Sequence, residues 1–220
     1  MQLNKKVKTS ELYVCENDFL KPLFENSVYP WDMLPKIKEY IEKADKSRFT
    51  EIGDGVFVGE NVTISKTAEL HGPAVIDDGT ELRPGAYIRG GVIIGKNCVI
   101  GNSSELKNCI LLDGAQVPHY NYVGDSVLGA HSHMGAGSVC SNLKGDGKPV
   151  VIHGDTEIET GLRKVGAFLG DGADVGCGCV LNPGTVIGKN TRVYPLNSLR
   201  GVFPENSIVK SDENVVKIKV

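Results

Sequence analysis

Residues 58–112 read VGENVTISKTAELHGPAVIDDGTELRPGAYIRGGVIIGKNCVIGNSSELKNCILL. In this stretch every sixth residue is aliphatic, beginning at Val58. Two places before each of these aliphatic residues stands a small or β-branched residue, such as Val56, Ala74 or Cys98. A helix repeats about every 3.6 residues and a strand every two, so a period of six indicates a hexapeptide repeat, which is typical of a solenoid. The ten aliphatic positions in succession are Val58, Ile64, Leu70, Ile76, Leu82, Ile88, Ile94, Ile100, Leu106 and Leu112.

The repeat predicts an all-β solenoid in which each hexapeptide supplies a short strand and a corner. Three hexapeptides, roughly eighteen residues, close one triangular coil, and the coils stack about 4.8 Å apart, the inter-strand spacing of a sheet. A narrow prism has room for one large side chain per strand, so we expect the aliphatic residue and its small companion to point inward. The period returns later in the chain at Leu169, Val175, Leu181, Ile187, Val193 and Leu199.

The composition fits this fold and narrows the choice of partners. Of 220 residues, 27 are glycines, which suits a chain that turns a corner every six residues. The net charge of −3 gives no electrostatic reason to expect nucleic acid or a membrane as the partner. No apolar run approaches the roughly 18–20 residues of a membrane span, and residues 1–14 lack a secretory signal. We therefore expect a cytoplasmic protein with reduced cysteines.

The ends of the chain do not carry the period. Residues 1–50 read as a helical capping segment, with a helix at 29–44 whose apolar face would cover the open end of the first coil. Residues 51–203 carry the β-helix. Residues 204–220 read as a C-terminal tail.

Within the β-helix the period breaks twice. A phase shift at 113–122 places His119 and Tyr122 in an irregular corner, and residues 141–166 form an inserted polar loop and hairpin. Insertions at the corners of a solenoid commonly carry function. A neutral histidine there can take a proton from an attacking nucleophile, lysine or arginine can bind phosphate, and the amide of Asn142 can donate to a carbonyl oxygen. From the residues alone, the sequence indicates a solenoid with a polar site.

The polar residues follow the motif of one family. A basic corner precedes His-x-x-Tyr-x-Gly-Asp, which Gly-Ala-Gly and an asparagine follow. Over residues 54–203 the chain resembles the left-handed β-helix acetyltransferase domain of the bifunctional glucosamine-1-phosphate N-acetyltransferase/N-acetylglucosamine-1-phosphate uridyltransferase family. The matching residues are Lys107, His119, Tyr122, Gly124, Asp125, Gly135, Ala136, Gly137 and Asn142.

This resemblance implies a fold and an activity. It implies a left-handed β-helix, although parallel crossovers are ordinarily right-handed, and a homotrimer with active sites at the subunit clefts. It implies acetyl transfer from acetyl-CoA to the amine of a phosphorylated or nucleotide-linked amino sugar, without a metal. His119 would be the general base and Asn142 would contact the acetyl carbonyl, while Lys107, Lys148 and Tyr122 would hold the sugar and its phosphate.

The chain departs from the family pattern in three respects. It contains no glycine-rich nucleotide loop of a uridyltransferase half. His133 stands where the family has an asparagine, so it is a candidate determinant of the acceptor sugar. The phosphate-binding arginine matches Arg83 by motif, whereas Arg89 lies eighteen residues before Lys107 and is expected to stack on it. Both arginines remain candidates.

Other readings stay open at this point. The chain could be a non-catalytic sugar-nucleotide-binding or regulatory module that partners a nucleotidyltransferase. It could also be a zinc solenoid resembling carbonic anhydrases, in which His131 and His133 would need a third ligand, for which His119 and His153 are candidates. Tyr122 could fill the core and Lys148 could be a solvated loop residue. Cys177 is a candidate neighbour of the coenzyme thioester.

Overall fold

Short strands stacked in register form the three sides of a prism. The fold is known from a computed structural model that describes residues 6–218. Sheets A, B and C contain nine, nine and seven strands, and nearly all pairs are parallel. The chain is the predicted left-handed parallel β-helix.

Sheet A joins the first strand of each coil. Its strands are β1 (Thr50–Gly53), β2 (Val56–Val58), β5 (Ala74–Ile76), β8 (Val92–Ile94), β11 (Cys109–Leu111), β14 (Val127–Leu128), β19 (Ala167–Leu169), β22 (Thr185–Ile187) and β25 (Val202–Phe203).

Sheet B joins the second strand of each coil. Its strands are β3 (Thr63–Ile64), β6 (Glu81–Leu82), β9 (Val99–Asn102), β12 (Gln116–His119), β15 (His133–Met134), β20 (Asp174–Val175), β23 (Arg192–Val193), β26 (Ser207–Ser211) and β27 (Asn214–Lys217).

Sheet C joins the third strand of each coil. Its strands are β4 (Glu69–His71), β7 (Tyr87–Arg89), β10 (Glu105–Lys107), β13 (Tyr122–Gly124), β16 (Val139–Cys140), β21 (Val180–Leu181) and β24 (Ser198–Leu199). Outside the prism, β17 (Val151–His153) and β18 (Glu157–Glu159) form an antiparallel hairpin.

The prism interior confirms the predicted aliphatic column, except at its end. Ile88, Ile94, Ile100 and Leu106 are fully buried in one cluster together with small companions such as Cys98. The prediction was wrong for Leu112, because Leu111 points inward instead and pairs with Ile94. Leu112 packs outside the prism.

The reason is a corner that is one residue short. From Leu106 to the next large aliphatic residue that points inward, Leu111, the step is five residues, and the step from Val123 to Leu128 is also five. The phase therefore shifts at these two corners between sheets C and A, and not at 113–122 as predicted. As a consequence Val123 points inward and Tyr122 points outward, so Tyr122 does not fill the core.

The N-terminal segment is helical, but in short pieces. Its helices are α1 (Thr9–Leu12), α2 (Lys21–Glu25), 3-10 turns at Pro30–Asp32 and Leu34–Lys36, and α3 (Ile37–Lys43). The helix predicted over 29–44 is α-helical only in its second half. Pro30 starts the first 3-10 turn and Pro35 is the second residue of the next, and a proline inside a helix removes a donor and clashes with the preceding turn.

This segment lies along the side of the prism and does not cap its open end. It covers the outer face of sheet A, where Phe168 packs 5.6 Å from Trp31 between ring centroids. The Asn17 amide donates to both Asp77 and Asp113, at 2.9 Å each, and so spans two coils. The expected cap on the first coil is therefore wrong: its interior aliphatic residues, Val58, Ile64 and Leu70, stay partly exposed.

The inserted hairpin and the C-terminal strands also pack against their own prism. Val150 and Ile152 are fully buried in the cluster outside sheet A, so this part of the hairpin packs on the prism of its own chain. Beyond residue 203, β26 continues the parallel ladder of sheet B, and β27 folds back on it. Regular stacking therefore reaches into the segment predicted as a tail. Residues 1–5 and 219–220 of the predicted terminal segments lie outside the described residues.

Phe168→Ala is expected to destabilise the fold by about 3–5 kcal/mol, because it leaves a cavity between sheet A and the N-terminal segment. Urea unfolding measures the loss, and proteolysis within the first 44 residues should become faster. Leu196→Ala is the matched control, since that side chain is 84% exposed. An equal midpoint for Phe168→Ala and wild type would contradict the packing.

Candidate active site

The outer face of sheet C lies between two corners that carry predicted site residues. The corner leading from sheet B carries His119, and the corner leading to sheet A carries Lys107, Asp125 and Asn142. Tyr122 lies on the face between them. Because strands stack in register, residues from several coils come together at each corner.

A buried asparagine holds the His119 corner in place. The backbone N–H of His119 donates to Asn121 Oδ1 at 3.0 Å. The amide of Asn121, 2% exposed, donates to the carbonyls of Gly135 and Ser138 in the next coil. The imidazole itself is exposed and makes no hydrogen bond within residues 6–218. It is therefore open to a ligand on a fixed backbone.

Cys177 belongs to the same corner despite the long insertion before it. Met134 pairs with Val175, so the Gly-Ala-Gly corner stacks on Cys177, and Gly178 donates to the carbonyl of Ala136 at 2.8 Å. Gly137 in turn donates to the carbonyl of His119 at 3.0 Å. His119, Ala136 and Cys177 thus follow one another in successive coils, and the Cys177 thiol is exposed.

The opposite corner carries a pair of cations. Leu106 pairs with Ile88, so Arg89 lies beside Lys107 in adjacent coils, as its eighteen-residue spacing predicts. Arg89 Nη1 contacts Glu105 Oε1 at 2.6 Å. Lys107 is half-buried. Two neighbouring cations, of which one is paired with Glu105, can bind a phosphate.

Tyr122, Asn142 and Asp125 form a hydrogen-bonded cluster at this corner. Asn142 Nδ2 donates to Asp125 Oδ2 at 2.5 Å and to Tyr122 Oη at 3.2 Å. Asn108 Nδ2 donates to the other carboxylate oxygen of Asp125 at 2.7 Å. Both amide hydrogens of Asn142 are thus used within the protein. Burial raises the pKa of Tyr122, so its hydroxyl stays protonated and can donate.

Gly124 makes this cluster possible. A Cβ atom at this position would lie 2.4 Å from Tyr122 Oη and 2.8 Å from Asn142 Nδ2. Only glycine lets both polar groups pack over the backbone.

Three predicted site residues lie elsewhere. Arg83 follows a strand of sheet B and contacts Glu81 at 3.1 Å, away from Lys107. Lys148 is exposed in the inserted loop, where no contact of its side chain with the cluster is found among residues 6–218. His133 lies on the outer face of sheet B, where its Nδ1 contacts Asp174 Oδ1 at 2.8 Å.

The histidines considered for zinc point to different parts of the prism. His131 lies at the corner between sheets A and B, His133 on sheet B, and His119 at the next corner. Within the described part of the chain, no three histidine, cysteine or acidic side chains are grouped as metal ligands.

No helix in residues 6–218 is long and apolar enough to span a membrane.

Some functional partners were missed by sequence reasoning. Asp174 is separated from His133 by the insertion, so only the stacking of β20 on β15 reveals the pair. Asp125 belongs to the recognised motif, but nothing in the sequence indicates that its carboxylate holds Asn108 and Asn142. The sequence did not indicate a role for Asn121, because the carbonyls to which its amide donates lie in another coil.

Gly124→Ala should disorder the Tyr122–Asn142 cluster while leaving the prism folded, because the clash is with the ends of two side chains. We expect the acetyl transfer that the family resemblance implies to fall by at least about ten-fold, the effect of about 1.4 kcal/mol in transition-state stabilisation. Gly145→Ala is the control, since its Cβ would meet nothing within 4 Å. Unchanged kinetics in Gly124→Ala would separate the cluster from the activity.

A family model and several curated relatives match the chain. The model described as the GMPPB C-terminal domain matches residues 70–163. The bifunctional protein GlmU of Methanococcus maripaludis strain C5 is 31% identical over 99% of this chain and 54% of its own length. The bifunctional sugar-1-phosphate nucleotidylyltransferase/acetyltransferase of Sulfurisphaera tokodaii is 33% identical over 76% of this chain and 41% of its own. The chain thus spans about half the length of these relatives.

Solved structures show more distant likeness. A mutant of AntD, an N-acyltransferase from Bacillus cereus, was solved with dTDP and coenzyme A. It aligns over 79% of this chain and 90% of its own, with a TM-score of 0.41 and 19% identity. The sequence relatives confirm the resemblance predicted from the motif around His119: the chain is a GlmU-like left-handed β-helix domain.

Proposed function

We propose that this chain transfers the acetyl group of acetyl-CoA to the amine of a phosphorylated or nucleotide-linked amino sugar. The observation that carries the proposal is the outer face of sheet C, with His119 at one corner and Arg89 beside Lys107 at the other. The strand between the corners is three residues long, about 10 Å. An amino sugar phosphate offers a nucleophile and an anion, which the side chains of His119, Arg89 and Lys107 would reach over this face.

His119 is suited to accept the proton of the attacking amine. Its ring is exposed, without a hydrogen-bond partner among residues 6–218, and its backbone is fixed by Asn121. As the amine nitrogen forms a bond to the acetyl carbon, the imidazole takes the amine proton. The carbon–sulfur bond then breaks, and the CoA thiolate leaves and is protonated to the free thiol.

Arg89 and Lys107 are suited to hold the phosphate of the acceptor. They lie in adjacent coils at one corner, and the neutral Tyr122 hydroxyl lies on the same face. The Arg89 guanidinium is paired with the Glu105 carboxylate, so a phosphate would take the place of that carboxylate.

The corner of Ala136 and Cys177 is proposed to receive the thioester arm of acetyl-CoA. It continues directly from His119 towards the C-terminal coils, and the residues of this corner are exposed. This places the acetyl donor and the base in one column. The proposed acceptor lies across the face of sheet C.

A homotrimer fits the exposed faces of the prism. The N-terminal segment and hairpin cover sheet A, while sheets B and C keep outer faces without a cover among the described residues. Light scattering should give three times the 23.6 kDa of one chain. A stable single-chain mass at micromolar concentration would contradict the trimer.

One experiment separates catalysis from mere binding. Purified protein with acetyl-CoA should release free CoA thiol only when an amino sugar phosphate, such as glucosamine-1-phosphate, is present. The competing interpretation is a non-catalytic binding or regulatory module that partners a nucleotidyltransferase. Calorimetric binding of the sugar phosphates without thiol release would establish the module and overturn the transferase.

His119→Ala should lower turnover by about 10²–10⁴-fold, the usual contribution of a general base, with an unchanged melting temperature. His153→Ala, a histidine of the inserted hairpin, is the control. The pair of His133 with Asp174 is the second candidate, because a carboxylate on Nδ1 orients an imidazole as a base. If His119→Ala kept near-wild-type turnover and His133→Ala lost it, the general base would be His133 on sheet B.

Arg89→Ala should raise KM for the acceptor with little change in kcat, because a phosphate is held equally in the ground and transition states. Arg83→Ala should leave KM unchanged, since Arg83 pairs with Glu81 on another sheet. Steady-state kinetics of both variants with the active acceptor decide between the two arginines. The reverse pattern would restore the motif-based assignment to Arg83.

A further inference from the structure

Asp125 is a buried carboxylate with two amide donors. It is 5% exposed, and its oxygens accept from Asn108 at 2.7 Å and from Asn142 at 2.5 Å. A carboxylate so removed from water requires such donors, since burying an unpaired charge is costly. Asp125 is therefore held in one orientation.

The backbone of Asp125 is fixed as well. The residue adopts a left-handed conformation with φ of 48°. Its N–H donates to the carbonyl of Lys107 at 3.0 Å, and its own carbonyl accepts from Gly166 at 2.7 Å, where the inserted segment returns to the prism. The carboxylate thus stands on a corner shared by three successive parts of the chain.

This arrangement fixes which end of the Asn142 amide meets a ligand. If the amide were turned over, its carbonyl oxygen would face the Asp125 carboxylate, and two acceptors would repel each other. In the orientation present, one N–H binds Asp125 and the other binds Tyr122 Oη. Asn142 Oδ1 has no hydrogen-bond partner within residues 6–218 and is not buried, so a ligand can reach it.

We propose that Asp125 is a positioning residue that makes Asn142 a hydrogen-bond acceptor in the site. Asn142 Oδ1 would receive an N–H or O–H of the acceptor sugar, whereas the family resemblance assigns Asn142 to the acetyl carbonyl. The donor at this place is then Tyr122, because its oxygen accepts from Asn142 and leaves its own hydrogen free. The identity of the ligand rests on the proposed function, whereas the orientation of the amide rests only on the hydrogen bonds.

A double-mutant cycle tests the role of Asn142. Asn142→Asp keeps Oδ1 but sets a second carboxylate against Asp125, so kcat/KM should fall by at least about 100-fold. Asp125→Asn should cost about 10–100-fold, as expected for a hydrogen bond to a charged group. The double variant Asp125→Asn with Asn142→Asp restores the hydrogen bond between residues 125 and 142 with reversed polarity, but not the N–H that Asn142 gives to Tyr122, so it should regain at least about ten-fold over Asn142→Asp and stay below the wild type. Asp54→Asn is the matched control, an exposed aspartate with the same left-handed backbone.

If Asn142 must donate to the acetyl carbonyl, the double variant has no N–H at 142 and stays as inactive as Asn142→Asp. That result would overturn the inference, as would unchanged kinetics in Asp125→Asn. A merely structural role of Asp125 would lower the melting temperature and kcat/KM together, without rescue.

A second measurement does not depend on activity. In ¹⁵N-labelled protein, the side-chain amide hydrogens of Asn142 should exchange with water more than about ten-fold slower than those of the exposed Asn61, and Asp125→Ala should abolish this difference. Equal exchange rates in the wild type would refute the fixed amide. Absence of acetyl transfer in the wild type, with a protected Asn142, would instead refute the proposed function alone.

Discussion

The narrow interior of the prism is the constraint on which the rest of the structure depends. Each strand must place one aliphatic side chain inward, so successive coils stack in register and residues one coil apart form columns. Lys107 and Arg89 meet because of this register, and so do Ala136 and Cys177 across the insertion. The functional groups are distant in sequence and adjacent in space, because the core permits only one alignment of the coils.

Small irregularities in this regular frame create the site. A corner one residue short turns Tyr122 outward and Val123 inward. The missing side chain of Gly124 lets Tyr122 and Asn142 approach each other over the backbone. Sites in such a scaffold arise where the repeat is locally broken, since an unbroken repeat offers only aliphatic columns and polar turns.

Much of the fold could be predicted from the sequence, because a six-residue period allows few other structures. The stacking of Arg89 on Lys107 followed from counting eighteen residues. Counting failed where the period changes: Leu112 was predicted to point inward, although Leu111 does. The side-on packing of the N-terminal segment was also missed. Apolar residues of sheet A that face outward, such as Phe168, sit between inward residues and show no separate pattern in an aliphatic-rich chain.

The sequence predicted which residues form the candidate site better than it predicted the contacts between them. The motif identified His119, Tyr122 and Asn142, but hydrogen-bond direction depends on side chains that meet through the fold. The orientation of the Asn142 amide by Asp125 and the pairing of His133 with Asp174 are of this kind. Neither can be read from spacing, because the partners belong to different coils.

A crystal structure with coenzyme A and glucosamine-1-phosphate bound would locate the acceptor site directly. We expect the sugar against the outer face of sheet C, with its phosphate on Arg89 and Lys107 and its amine within hydrogen-bonding distance of His119. Density for the sugar on sheet B, beside His133 and Asp174, would contradict this placement of the site.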